Sequence, residues 1–190
     1  MSARDAAHGG QAASDTGMIA IAPAGGADVA AIDALLRSSF ARAEEADLVR
    51  DLCVAGDMVL MLAAHDEETG ALVGTVAFSR MDVAVAGKPI AAVALAPVAV
   101  AAAHRQQGVA EALIQAGLDR LEQEGVVLCF VLGDPAFYAR FGFDADFARN
   151  FASPYAGDYL MALPLQGGLM PCGVREHARH ASPFEALSQP

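Results

Sequence analysis

At 190 residues, 55% hydrophobic and 18% charged, the chain is long enough to bury one sizeable core, too short for two comfortable domains, and unlike a disordered protein in composition. A net charge of −11 with a single lysine, Lys88, argues against nucleic-acid binding, Schiff-base chemistry and a P-loop. Three scattered cysteines, Cys53, Cys129 and Cys172, lack ligand spacing, and the longest apolar run, Ile90 to Ala103, is broken by Pro97 and falls short of a bilayer span. A reduced, cytoplasmic protein without membrane, nucleic-acid or metal partners is expected.

Residues 1–16 are small and polar and read as a disordered segment. Residues 17–165 read as the domain and 166–190 as a C-terminal extension of weak structure. "MIAIAPA" suits a first strand, and residues 26–40 and 44–56 suit two helices, the second opening with acids that favour a helix N-terminus. Residues 57–66 and 71–83 form strands around an "EETG" turn, and "IAAVALAPVAV" adds a third strand to the meander. The helix from about Gly108 to Glu124 sets Glu111, Gln115, Asp119 and Glu122 opposite an apolar stripe of Leu113, Ala116, Gly117, Leu118 and Leu121. "VVLCFVL" then has the continuous apolar character of a buried parallel strand, which makes a right-handed βαβ crossover. In "GDPAFYARFGF", Asp134 is a good N-cap, Pro135 a good first helical residue and Gly142 a good stop. "FDADFARNF" and "YLMALPL" are expected to supply the last two strands.

The mouth of the crossover helix carries the chemistry. Its first-turn N–H groups and macrodipole favour anions. Gly108 and Ala110 leave room for a diphosphate against the backbone, and Arg105 adds a permanent positive fork. On pattern alone the same residues also make an ordinary turn, and neither a three-glycine dinucleotide fingerprint nor GxxxxGK[ST] is present.

"VAVAAAHRQQGVAEALIQAGLDRL" resembles motif A of the GNAT N-acetyltransferases, with Arg105, Gly108 and Ala110 at the defining positions of an R/Q-x-x-G-x-G/A turn. "FYARFGF" is similar to that family's second signature, a tyrosine four residues before Gly-Phe, matched by Tyr138, Gly142 and Phe143. The turn departs from the family in having Gln106 for a usual glycine and Ala102 for a usual proline, and Val131 lies near the place of a frequent asparagine. The resemblance implies an α/β (α+β) acyl-CoA N-acyltransferase fold, a mixed central splayed sheet with helices on both faces. It also implies acetyl-CoA as co-substrate, without metal, and transfer to a primary amine by direct aminolysis.

By the same resemblance the pantetheine pairs with the backbone of Val98, Ala99 and Val100, and the pyrophosphate sits on Arg105, Gln106, Gln107, Gly108, Val109 and Ala110. The Val98 N–H would face the oxyanion, and Pro97 would interrupt pairing at the splay or merely mark an edge or bulge. Tyr138 is the implied general acid, since a phenol stays protonated at neutral pH; "AFYARF" would otherwise be plain packing. No base is assigned. Glu44, Glu45, Asp82 and Asp134 are candidates by position, each also readable as a solvated acid or cap. The acceptor is a small-molecule amine or a protein N-terminus, a homodimer is left open, and a CoA-binding sensor or scaffold without transfer activity is the alternative.

Overall fold

The computed structural model describes residues 18–167 and 176–188; the expected disorder of residues 1–16 and Cys172 lie outside the described residues. The chain starts with β1 (Ile19–Pro23), a 3₁₀ turn, α1 (Val29–Ser39) and α2 (Glu44–Ala55). It continues through β2 (Met58–Asp66), the long β3 (Leu72–Val85), a two-residue β4 (Lys88–Pro89) and β5 (Ala92–Val100). Then come α3 (Val109–Gln123), β6 (Leu128–Leu132), the short helices α4 (Pro135–Tyr138) and α5 (Ala145–Ala148), β7 (Phe151–Ala152) and β8 (Leu160–Pro164). β9 (Glu176–His180) and a 3₁₀ segment (Ser182–Ser188) follow.

The strands run β1-β2-β3-β5-β6-β8 across one mixed sheet. Along that path only β5 and β6 are parallel, joined by α3 as the crossover expected from the sequence. Residues 128–131 of β6 are buried on both faces, as a central parallel strand requires.

Helices cover both faces. On one, Leu113, Ile114, Leu118 and Leu121 of α3 pack on Val76, Phe78, Val93 and Leu95. Close approach is possible because Gly117 lies over the Phe78 ring, where a Cβ would overlap it. On the other face, Leu48 and Leu52 of α2 meet Ala94, Phe130 and Leu160, while Ile32, Leu35 and Leu36 of α1 meet Ala77 and Ala99.

Two expectations are corrected. "FDADFARNF" is not one strand: the Asp144 carboxylate accepts from the Asp146 N–H at 2.7 Å and starts α5, leaving only Phe151–Ala152 extended. The tail is also more ordered than expected. β9 pairs antiparallel with β3, placing His180 opposite Met81, and in parallel with β7.

Candidate active site

The turn before α3 is built by left-handed backbone. Gly108, the N-cap of α3, has φ 81°, and Gln106 has φ 61° where a glycine would be unstrained. Among the described residues no side chain caps the helix, so the first-turn N–H groups of Val109, Ala110 and Glu111 keep the anion-binding character of a helix mouth. The Arg105 Nε donates to the Val100 carbonyl at 3.1 Å, which holds that exposed guanidinium beside the end of β5; Gln107 turns back to the Ala103 carbonyl at 2.9 Å. Val109 is buried and Ala110 half-buried, while Gln106, Gln107 and Gly108 are exposed.

β5 and β6 part company just before the turn. Their parallel register ends at Leu95↔Val131, whereas β5 stays paired with β3 through Val76↔Val98, Thr75↔Ala99 and Gly74↔Val100. A bulge interrupts that second ladder between Val76 and Phe78, opposite Pro97. The edge of β5 from Ala96 to Val100 that faces away from β3 therefore has no strand partner among the described residues. The motif residues are brought together as an unpaired strand edge running into an uncapped helix N-terminus.

A cavity of about 390 Å³ occupies the splay. Its walls come from both faces of the sheet: Leu95, Val131 and Tyr138 belong to the α3 side, and Leu48, Ala94 and Phe184 to the α2 side. It passes between the strands and is not a pit on one face.

Tyr138 stands on the α3 side. Asp134 starts its short helix by accepting from the Ala136 N–H at 3.0 Å. Its ring packs edge-on to Phe137 and Phe143, and Gly133 makes room for it, since a Cβ there would overlap the ring. The ring is thus both packing and cavity wall. Burial first, and the Cys129 thiol beneath it second, push the phenol above its ordinary value, so it remains a proton donor.

Of the four acids named as possible bases, only Glu45 lines the cavity. Glu44 pairs with Arg42, Asp82 with His177, and Asp134 serves as a cap. His104, which adjoins the turn, is half-buried, with Nδ1 unpartnered among the described residues and Nε2 3.9 Å from Asp66. The polar residues Tyr155 and His180, and the ring of Phe184, carried no site role in the sequence and also line the cavity. Tyr155 lies just before the last strand of the domain, His180 and Phe184 lie in the tail, and only the fold brings them to β5.

The comparisons converge on one family. Residues 20–145 match the model of an acetyltransferase (GNAT) domain. The chain is 47% identical over 117 residues to the N-acetyltransferase YhbS of Escherichia coli (strain K12), a match covering 62% of this chain and 68% of YhbS. It is similar to the crystal structure of E. coli YhbS in complex with CoA, with a TM-score of 0.80 and 36% identity, covering 88% of this chain and 92% of that one. A GNAT family acetyltransferase from Brucella melitensis in complex with acetyl-CoA has a TM-score of 0.69 and 26% identity, covering 88% of this chain and 99% of that one.

Proposed function

Because this chain belongs to the GNAT acetyltransferase family, we propose that it is an N-acetyltransferase moving an acetyl group from acetyl-CoA to a primary amine by direct attack on the thioester. The observation that carries this reading is the cavity through the splay, which brings the free edge of β5 at residues 96–98 together with Tyr138 on one side and with Leu48, Ala94 and Phe184 on the other. The residues fit acetyl-CoA: a free edge at Val98, Ala99 and Val100 suits an extended, amide-bearing pantetheine, and the uncapped turn from Arg105 to Ala110 suits a diphosphate.

In the reaction the amine nitrogen forms the new C–N bond, the C–S bond breaks, and the backbone N–H of Val98 stabilises the oxyanion. Tyr138 gives a proton to the departing thiolate, while the nitrogen sheds one to water. Among the described residues no Cys, Ser, Thr or Lys lines the cavity, which favours direct transfer over a covalent acetyl-enzyme.

Calorimetry with acetyl-CoA and turnover of a primary amine test the assignment in two variants. In Ala110→Asp an acid in the first turn should strengthen α3 by ~0.3–1 kcal/mol while repelling a diphosphate, so acetyl-CoA affinity should fall by about tenfold or more in a folded protein. Tyr138→Phe should lower kcat by about 10²-fold and leave acetyl-CoA affinity intact. Unchanged affinity in the first variant removes the pyrophosphate from this turn, and unchanged kcat in the second removes Tyr138 from the proton path.

A further inference from the structure

Granted the acetyl transfer proposed above, the α2 side of the cavity holds a carboxylate that no cation among the described residues answers. The other acids of α2's first turns are matched: Glu44 with Arg42 at 3.3 Å, Asp47 with Arg37 at 3.1 Å and with Arg50 at 2.9 Å, and Asp51 with Arg50 at 3.1 Å. Glu45 is different. It lines the cavity, and its Oε2 is shut off from solvent without a hydrogen-bond donor among the described residues. No Lys or Arg among the described residues lines the cavity. His180 shares this wall, and its Nδ1 is likewise buried and unpartnered. Burial depresses its pKa to about 4, so its ring is neutral and offers the Glu45 carboxylate no cation. A buried carboxylate oxygen without a donor is costly, and a bound cation offsets that cost.

An amine acceptor could present either its reacting nitrogen or a second one. An anion beside the reacting nitrogen would favour its protonated form, and an ammonium has no lone pair with which to attack. Glu45 also stands one turn before Leu48 on the α2 side of the sheet, whereas Tyr138 packs on the α3 side. A non-reacting cation therefore satisfies both the chemistry and the placement.

We propose that Glu45 and His180 anchor the far ammonium of an alkyl diamine, a primary amine carrying a second protonated nitrogen a few methylenes away. The Glu45 carboxylate accepts hydrogen bonds from that ammonium, and the unprotonated ring nitrogen of His180 accepts another. The methylenes lie along the apolar wall of Leu48, Ala96 and Phe184, which leaves the near amine neutral at the splay.

The test compares 1,4-diaminobutane with n-butylamine at neutral pH. Initial rates are measured with acetyl-CoA, and each amine is titrated calorimetrically into CoA-loaded protein, for the wild type and for Glu45→Gln. The diamine should exceed the monoamine by about tenfold or more in both kcat/KM and affinity in the wild type, and the ratio should fall to about one in the variant. Equal use of the two amines by the wild type, a ratio that survives in Glu45→Gln, or a CoA-loaded wild type that takes up neither amine overturns the diamine assignment. Failure of the wild type to bind acetyl-CoA at all overturns the acetyl transfer itself. If the variant does not fold, the wild-type ratio decides by itself.

Discussion

Burial holds the His180 imidazole at about 4 against an ordinary 6.5, although Glu45 lines the same cavity and an anion nearby would push the other way. The rings of Tyr155 and Phe184, both 4.9 Å away between centroids, account for the lost solvation. The same cause lifts the Tyr138 phenol, because in each case burial disfavours the charged form. For His180 this has a consequence for stability. Between about 4 and 6.5 the unfolded chain binds a proton that the native state does not. The contribution is thus fully present above pH 6.5 and is lost as the pH falls through about 4. Urea unfolding at a series of pH values should show a shallower acid-side loss in His180→Phe than in the wild type. Parallel curves would mean that the ring is solvated in the native protein.

At the scale of elements, α3 matters because it delivers the turn to the end of β5, and its seat is set by Gly117 on Phe78. An alanine is worth up to ~1 kcal/mol over glycine within a helix, so Gly117→Ala would ordinarily stabilise. Here the added Cβ overlaps a fully buried ring that cannot swing aside, and overpacking of that kind costs ~1–3 kcal/mol. The variant should therefore be net destabilised, with a lower denaturation midpoint, and the lifted helix should bind acetyl-CoA more weakly.

The α3 stripe, the buried β6 run and the Asp134 cap were legible in the sequence because each rests on contacts within a few residues or on a simple period. "FDADFARNF" misleads because its alternation is outweighed by one local hydrogen bond to the Asp144 carboxylate. β9 was not legible at all, since its partners, Met81 to Val83, are about a hundred residues earlier. Glu45 could be named as a candidate acid, but its isolation appears only once Arg37, Arg42 and Arg50 are seen to be committed elsewhere.

For the molecule as a whole, the sheet does more than support the site. The crossover supplies one half of the cavity, with Tyr138 beside it, while α2 and the residues after β9 supply the other. The wall nearest Glu45 and His180 thus comes from parts of the chain remote from the motif turn, so on the reading proposed above the acceptor side can change without touching the residues proposed to hold acetyl-CoA.

The passage between the parted strands also bears on the order of events. With its walls drawn from opposite faces, neither reactant need leave before the other arrives. Steady-state rates measured over a grid of both concentrations should give intersecting double-reciprocal lines, the mark of a ternary complex. Parallel lines would reveal a ping-pong enzyme, one that parks the acyl group on itself and lets free CoA depart before the amine binds.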